Sequence, residues 1–377
     1  MRITILTNDH PDRPHGGTAT IVASHAELLR GHGHDVSIIS PVSDAWRART
    51  ILGRLIFHIQ DLGIDHALAN KIQETRPDVL ITENVTGCGW GTATEVQRYF
   101  RVGSTGFCGY ALAKCPPPKR VKWIHILHDV AMFEPSGQMI VGESCAMLRR
   151  TWRRFWAKQR VRALGLPSVV ISPTKWLADQ HQSFGCFIDH QIAIIPNPLP
   201  SFRHPRAGEN PPLLKKEQTV LFVGRCDADK GLPDLLRAWT SMPEGWSLRI
   251  IGSGSLVSQL QSLTDSSIQY LGSKSHDEVM QEMLRASMVI VPSRVAENQP
   301  TVILEALACG ASVVATAVGG IPETLQGNGC LVAPHDPTAL RNAIIETMAR
   351  EPRILSLDRY LPEVIGRELD AVVRSNR

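Results

Sequence analysis

Two glutamates with seven residues between them, Glu297 and Glu305, follow an apolar run over Met288–Val291. The run predicts a strand, and Pro300 suits the start of a helix because its missing N–H would be unpaired there in any case. The N–H groups of the first helical turn would point back into the loop and attract an anion. One carboxylate lies before that turn and the other lies about two turns along the helix. The pair could therefore bind hydroxyls on both sides of a phosphate, which predicts a nucleotide-sugar site.

Glycines and cations follow two other predicted strands. Gly16 and Gly17 follow the first strand and open a helix that runs to Gly31. Paired glycines let a backbone approach a phosphate closely, and the helix start supplies N–H donors. Arg225 and Lys230 follow a strand of the second half, where two cations can clamp a diphosphate. Ordinary strand-to-helix turns also use glycine, and exposed loops also carry charge, so each motif alone has a structural alternative.

Two histidines and an acid lie at the end of a further predicted strand, Trp123–Leu127. Alternation along the strand puts His125 and its neighbour on opposite faces, so we expect His125 to pack in a core. His128 lies past the strand end, where it could reach a ligand, and we expect it to be functional. His128 with Asp129 could form part of a hydrolase triad, but the chain has no Gly-x-Ser-x-Gly sequence.

The cysteines give little support for a metal site. Cys88, Cys108 and Cys115 could in principle hold zinc with His125, but no Cys-x-x-Cys pair is present. The eight cysteines are scattered without a disulfide framework, which favours reduced thiols in the cytoplasm. We expect no metal and no cofactor.

The composition is typical of a globular protein of two domains. The chain has 377 residues, of which 43% are hydrophobic and 20% charged, and this length exceeds what one ordinary core supports. A formal charge of +4 is too mild to indicate nucleic-acid binding. We find neither a signal-peptide pattern nor an apolar run of about 18 residues, so we expect a cytoplasmic protein.

Short β-branched runs recur along the chain, and each is followed by a helical pattern. Continuous apolar runs indicate strands buried on both faces, so we predict two doubly wound α/β domains with parallel sheets. We place the first domain at 1–197, with an irregular insertion at about 84–119, and the second at 198–355. A helix at 356–377 is expected to pack back on the first domain. The predicted strands are Ile3–Leu6, Val36–Ser40, Val79–Thr82, Trp123–Leu127, Val169–Ser172, Ile192–Pro196, Val220–Gly224, Leu248–Gly252, Ile268–Gly272, Met288–Pro292, Ser312–Thr316 and Gly329–Ala333.

One predicted helix, over 147–162, combines aromatic and basic residues. Leu148, Trp152, Phe155 and Trp156 would share one face with arginines beside it. This pattern is typical of a helix resting on an anionic membrane surface. The alternative is a core helix with a solvated basic side, whose Trp rings are buried.

Taken together, these motifs resemble the large retaining glycosyltransferase family 4, which has the GT-B fold of two Rossmann-like domains facing a cleft. The resemblance covers nearly the whole chain, and its most specific part is Glu305–Gly310 followed by Val313–Thr316 and Gly319–Glu323. The variant sequence Glu297–Pro300 is similar to members that build bacterial surface polysaccharides on lipid-linked intermediates.

The resemblance implies a role for each residue of the candidate site. Glu297 would bind hydroxyls of the donor sugar, Glu305 the ribose diol, and His128 would lie beside the donor sugar. Fixed cations would do the work of a metal ion, so none is implied. The implied catalytic residues are His128 and Glu297, and the implied donor-binding residues are Gly16, Gly17, Arg225, Lys230, Asn298, Thr301, Val302 and Glu305.

The expected function is transfer of a sugar, with retention, from a nucleotide-diphosphate sugar to a hydroxyl of a glycan or lipid-linked acceptor. Peripheral contact with an anionic membrane through 147–162 is a possible addition. Two alternatives stay open at this point: a catalytically silent homologue that binds glycan or nucleotide, and a sugar-nucleotide epimerase of the same fold.

Overall fold

The computed structural model describes residues 1–8, 10, 17–41, 57–102, 120–134, 136, 139, 147–199, 216–240, 242–263, 265–350 and 356–375. The chain forms two compact units. The first unit contains Met1–Gln138, Ser144–Pro198 and Pro362–Arg377, and the second contains Met139–Glu143 and Leu199–Leu361.

Each unit contains a six-stranded sheet in which all neighbouring strands run parallel. The predicted strands all form, and their ends shift by at most a few residues. The strands are β1 (Arg2–Thr7), β2 (Asp35–Ile39), β3 (Val79–Glu83), β4 (Lys122–Ile126), β5 (Val169–Ser172), β6 (Ile192–Ile194), β7 (Glu217–Val223), β8 (Ser247–Ile251), β9 (Ile268–Tyr270), β10 (Ala286–Val291), β11 (Ser312–Thr316) and β12 (Cys330–Val332).

The two sheets differ in strand order. The first has the order β2-β1-β3-β4-β5-β6, and the second has the order β12-β11-β10-β7-β8-β9. The second order is that of a dinucleotide-binding Rossmann sheet, whereas the first is that of a flavodoxin-like sheet. In such sheets ligands bind at the carboxyl ends of the strands, at the point where the direction of the crossovers reverses. That switch point lies between β1 and β3 in the first unit and between β7 and β10 in the second.

Helices connect the strands, and polar side chains cap several of them. Asp65 and Thr174 each accept a hydrogen bond from the backbone three residues on, and Ser275 forms a capping box with Glu278. The helices are α1 (Gly17–Gly31), α2 (His66–Thr75), α3 (Thr92–Val102), α4 (Met147–Leu164), α5 (Lys175–Ser183), α6 (Leu232–Ala238), α7 (Val257–Gln261), α8 (His276–Arg285), α9 (Thr301–Ala308), α10 (Ile321–Leu325), α11 (Pro337–Met348) and α12 (Pro362–Arg374). Within the insertion predicted at 84–119, α3 is regular, and 103–119 lies outside the described residues.

The apolar strands are buried on both faces, as their continuous patterns predict. In β7, Val220 and Phe222 pack in one core cluster while Leu221 packs in the cluster on the opposite face of the sheet. In the first unit, α12 contributes Ile365 and Leu369 to the core that contains β1, β3 and α1. The tail helix is therefore part of the first unit's core.

Helix α4 divides its aromatic residues between core and surface. Trp156 is 2% exposed, whereas Trp152 and Phe155 are about half-exposed and stack on each other at 6.0 Å between ring centroids. Two of the arginines predicted beside this face, Arg153 and Arg160, are buried. Ion pairs and ring contacts make this burial possible. Arg153 bonds Glu134 at 2.8 Å, and Arg160 lies 5.2 Å from the ring centroids of Trp90 and Trp156.

Candidate active site

The loops after β7 and β10 meet at the switch point of the second unit, and they carry most of the predicted site. Gly231 has φ of +75°, and a Cβ there would lie 1.7 Å from the carbonyl oxygen of Pro292. Only glycine permits this approach. The backbone N–H of Arg294 also donates to the carbonyl oxygen of Asp229 at 2.8 Å. Backbone contacts thus fix the two loops against each other.

A buried ion pair holds the same two loops together. Arg294 Nε and Nη2 donate to the two carboxylate oxygens of Asp234 at 2.7 and 2.5 Å. The Asp234 side chain is 5% exposed and that of Arg294 is 21% exposed. Its hydrogen bonds to Asp234 raise the pKa of Arg294, with burial opposing them. This bidentate geometry orients the loop that carries Glu297.

Arg225 lies at the carboxyl end of β7 and is half-exposed. Its guanidinium bonds Asp227 and Asp229, each at 2.5 Å. Burial would raise the pKa of Asp227, but hydrogen bonds from the backbone N–H and hydroxyl of Ser255 and the charge of Arg225 lower it overall. The two carboxylates therefore pre-orient Arg225, and they would compete with a bound anion for its donors.

Lys230 and Glu297, which are 67 positions apart in sequence, form an ion pair. The carboxylate of Glu297 also accepts from the Ser293 hydroxyl at 2.9 Å. On its other side, the Gly320 N–H donates to the Glu297 carbonyl at 2.7 Å, and a Cβ on Gly319 would lie 2.1 Å from that carbonyl oxygen. The structure therefore brings two predicted site residues together and clamps the backbone of one of them.

Helix α9 begins directly after the loop that carries Glu297. Pro300 is the N-cap, with extended backbone, and Thr301 and Val302 are the first two helical residues. N–H groups at these positions have no acceptor inside a helix, which makes them donors for an external anion. Asn298 lies in the loop between β10 and α9.

Glu305 is 8% exposed and lies on the second turn of α9. Burial raises its pKa, and His276, whose Nδ1 is 3.9 Å from the carboxylate, lowers it in part. A carboxylate that has lost most of its water would gain from hydroxyl donors of a ligand.

In the first unit, His128 lies just beyond β4 and donates from Nε2 to Glu83 at 2.8 Å. Glu83, the last residue of β3, also bonds His25 of α1. Gly17 is the first residue of α1, whereas Gly16 lies outside the described residues.

His125 is 3% exposed and bonds the Thr82 hydroxyl at 2.8 Å. Burial lowers its pKa to about 3, with further lowering from His181 and His128. His125 is therefore a neutral, satisfied residue of the core.

Cys88 is buried, while Cys108 and Cys115 lie outside the described residues. In the part of the chain that the structure describes, no group of His, Cys, Asp and Glu side chains is arranged to hold a metal ion.

Three charged residues at the candidate site were not predicted from the sequence pattern. Glu83 ends an apolar run, Asp234 lies in the first turn of α6, and Arg294 follows β10. Of these three residues, only Glu83 could have been predicted from the sequence, because it is an acid at the end of a predicted strand.

The family described as Glycosyl transferases group 1 matches residues 217–350. The matched residues include Arg225, Lys230, Glu297 and Glu305.

Two curated relatives match parts of the chain. Over 177 residues the chain is 33% identical to an exopolysaccharide phosphotransferase of Streptomyces coelicolor, covering 44% of this chain and 18% of that protein. Over 152 residues it is 35% identical to the D-inositol 3-phosphate glycosyltransferase of Mycolicibacterium smegmatis, covering 37% of this chain and 35% of that protein. The chain thus spans well under half the length of these relatives.

Among solved structures, that of Anabaena HepE in complex with UDP matches with a TM-score of 0.63. The match covers 99% of both chains at 17% identity. It confirms the predicted GT-B fold class. In the described ranges, no helix is both long and apolar enough to cross a bilayer.

Proposed function

We propose that this protein is a retaining glycosyltransferase that moves a sugar from a nucleotide-diphosphate sugar to a hydroxyl of a glycan or lipid-linked acceptor. One observation carries the proposal. At the switch point of the second unit, Lys230 pairs with Glu297 in the loop that leads into α9, and Arg225 lies at the carboxyl end of the neighbouring strand β7. The match of this unit to a glycosyltransferase domain supports it.

The chemistry follows from where charge develops. When the bond between the anomeric carbon and the diphosphate breaks, negative charge grows on the departing phosphate. Arg225, Lys230 and the first amides of α9 would stabilise that charge with little rearrangement of the backbone, because their own loops already hold them. Lys230 would exchange its contact with Glu297 for the diphosphate, which would free the carboxylate to bind sugar hydroxyls.

Retention is proposed to follow from attack on the same face as the leaving group. The acceptor oxygen bonds to the anomeric carbon, the bond to the diphosphate breaks, and the departing phosphate takes the acceptor proton. Among the described residues, no carboxylate has a position that identifies it as a nucleophile for a double displacement. No metal ion is needed in this scheme, since fixed cations balance the diphosphate.

We infer UDP-sugars as the first donors to test, since the matching Anabaena HepE structure is a complex with UDP. The test is a thermal-stability panel of nucleotides and nucleotide sugars without added metal. A ligand at 100 times its Kd stabilises by about 2.7 kcal/mol. Stabilisation by one base only names the donor class, whereas none with any nucleotide contradicts a nucleotide-sugar site.

Analysis of the products separates the competing activities. Release of the nucleoside diphosphate together with a glycosylated acceptor supports glycosyl transfer. Release of the nucleoside monophosphate indicates transfer of a sugar phosphate; the Streptomyces relative is named an exopolysaccharide phosphotransferase. A changed donor sugar without acceptor indicates an epimerase, and binding without turnover indicates a silent homologue.

The matched variants are Glu297→Gln and Glu346→Gln. Glu297 pairs with Lys230 at the site, while Glu346 is an exposed residue of α11 that pairs with Arg350. We expect Glu297→Gln to lower turnover at least about 100-fold, as loss of a group that acts in the transition state does. Glu346→Gln should retain activity. Equal turnover in both variants would contradict the assignment of Glu297.

We also propose that the exposed face of α4 contacts an anionic membrane and so brings the enzyme to a lipid-linked acceptor. Trp152 and Phe155 are 48% and 49% exposed. The same helix contributes the cations Arg154, Lys158 and Arg162 to the lining of a groove of about 460 Å³. Exposed aromatic rings beside cations suit the boundary between anionic headgroups and acyl chains.

Vesicle sedimentation tests this contact. Binding to vesicles with phosphatidylglycerol should exceed binding to phosphatidylcholine vesicles, and Trp152→Ala with Phe155→Ala should remove most of the difference. Ile188→Ala, which removes an exposed apolar side chain elsewhere in the first unit, should leave binding unchanged. Equal binding by all variants would exclude this face as the contact.

A further inference from the structure

A small cavity lies at the carboxyl edge of the first sheet, where β3 and β4 end. Its volume is about 20 Å³, which is enough for the oxygen atom of one water or one hydroxyl. The lining includes the partly exposed residues Asn84, Thr86 and Asp129 and the completely buried His181. The cavity therefore connects the surface at the strand ends with a buried imidazole ring.

The hydrogen bond of His181 fixes its tautomer. Nδ1 lies 2.9 Å from the carbonyl oxygen of Leu177, one turn earlier in α5. A carbonyl oxygen only accepts, so Nδ1 must carry the hydrogen. Burial lowers the pKa of His181 to about 4, so the ring is neutral at neutral pH. Nε2 of His181 therefore has a lone pair and can only accept a hydrogen bond.

This acceptor has no donor in the part of the chain that the structure describes. Nε2 of His181 is buried and has no hydrogen-bond partner. Since Nδ1 bonds the residue's own helix, the far end of the ring, which carries Nε2, is the part that lines the cavity. The edge of the Phe133 ring packs against the imidazole at 5.2 Å between centroids. Buried polar atoms normally have a partner, so this one calls for a donor from outside the protein.

Thr86 supplies a complementary group in the same cavity. Its Oγ1 is also buried and has no hydrogen-bond partner among the described residues. A threonine hydroxyl can donate one hydrogen bond and accept others. The loop after β3 and helix α5 thus place two unpaired polar atoms around a space for one oxygen atom.

These two atoms select the chemistry of a ligand. Phosphate and carboxylate oxygens only accept, so the lone pair of His181 would repel them. An ammonium group would exchange its water for neutral partners only, which is unfavourable for a charge. A metal ion has no prepared site, because no group of described His, Cys, Asp and Glu side chains is arranged to hold one. A hydroxyl is neutral and can donate to His181 while it accepts from Thr86.

We propose that this cavity binds one hydroxyl of the sugar substrate, which donates to Nε2 of His181 and accepts from Oγ1 of Thr86. The inference deepens the proposed function and rests on it for the sugar. Donor sugars and glycan acceptors both carry such hydroxyls, and separate binding series distinguish the two sources.

Isosteric variants test whether the Thr86 hydroxyl serves a ligand or the fold. Thr86→Val should leave the urea midpoint of the full chain unchanged or raise it, because the lost hydroxyl has no described protein partner. Thr92→Val is the matched control, since Oγ1 of Thr92 donates to the Cys88 carbonyl at 2.8 Å and accepts from the Asp65 N–H at 2.9 Å. Its midpoint should fall. Equal falls in both variants would overturn the proposal, whatever the activity of the protein.

Calorimetric titration tests the ligand, with UDP-glucose and its analogues that each lack one sugar hydroxyl as probes. In the wild type one analogue should bind about 10-fold more weakly than UDP-glucose, because it loses two hydrogen bonds. In Thr86→Val this ratio should shrink to about 3-fold, since one of the two bonds is already absent. The ratios of the other analogues should stay unchanged, and Thr86→Ser, which keeps the hydroxyl, should keep all the wild-type ratios.

The same comparison with octyl glucoside and its deoxy analogues tests an acceptor hydroxyl. His181→Phe keeps a ring beside Phe133 and removes the acceptor nitrogen, so it should shrink the same ratio as Thr86→Val. If His181→Phe does not fold, the two Thr86 variants decide.

The outcomes separate this inference from the proposed function. A ratio that shrinks selectively in one series assigns the hydroxyl to that substrate. Unchanged ratios in both series would refute the hydroxyl site, while binding of UDP-glucose would leave the proposed function intact. Failure of every nucleotide to bind would contradict the proposed function, and a selective change in the octyl glucoside series would still support the hydroxyl site.

Discussion

The contact between Gly231 and Pro292 gives a prediction whose size follows from the structure. A Cβ at Gly231 would lie 1.7 Å from the Pro292 carbonyl oxygen, and real Cβ atoms essentially never approach a neighbour closer than 3.0 Å. Gly231→Ala must therefore separate the loops after β7 and β10 by about 1.3 Å or more. Protein interiors are close-packed, so this displacement must disturb neighbouring residues. Gly327 is a matched control, because its φ of +83° is similar and nothing lies within 4 Å of its Cβ position.

The two variants share one cost and differ in another. Alanine in a left-handed conformation costs about 1 kcal/mol at either position. Overpacking adds about 1–3 kcal/mol at position 231 only. We expect Gly327→Ala to lower the free energy of unfolding by about 1 kcal/mol and Gly231→Ala to lower it by about 2–4 kcal/mol.

Equilibrium urea unfolding measures both changes, and calorimetric titration with a nucleotide measures the effect on the site. Gly231→Ala should also weaken nucleotide binding, because Lys230 precedes the displaced residue, whereas Gly327→Ala should bind normally. Equal losses of stability in the two variants would refute the reasoning, since the close contact would then contribute nothing.

Two further predictions concern buried charges. Asp234→Ala leaves Arg294 without its bidentate partner and should lower the free energy of unfolding by about 2 kcal/mol in urea, below the range for fully buried pairs because Arg294 is 21% exposed. Asp179→Ala, which breaks an exposed pair, should cost under about 0.5 kcal/mol, and a similar loss in both would contradict the role of burial. Burial would raise the pKa of Glu83, but its histidine partners lower it below the ordinary 4.5, so its stabilisation is present above about pH 4.5 and is lost as the pH falls. Unfolding free energies measured from about pH 5 to 3 should fall less steeply in Glu83→Gln than in the wild type, and parallel slopes would refute this.

The strands could be predicted because their information is local. Val169–Ser172 and Ser312–Thr316 form with the predicted bounds, since a β-branched run buried on both faces needs no knowledge of its neighbours. The helix from Gly17 to Gly31 forms with the predicted bounds for a similar reason. Strand order is different, because it depends on which crossover packs on which face. The sequence therefore predicts two parallel sheets, but it does not predict that the first sheet has the flavodoxin-like strand order.

The placement of charged side chains depended on the tertiary structure. Lys230 and Glu297 are recognisable as functional from their motifs, but only the folded sheet brings them into one ion pair. Arg160 lies in a basic helix whose pattern favours solvent, yet two indole rings enclose it. Glu83 is a single acid after an apolar run, and only the packing of α1 and β4 gives it two histidine partners. Strands and helices depend on the periodicity of neighbouring residues, so the sequence predicts them. The partner of a buried charge depends on how segments far apart in the chain pack together, so only the tertiary structure shows it.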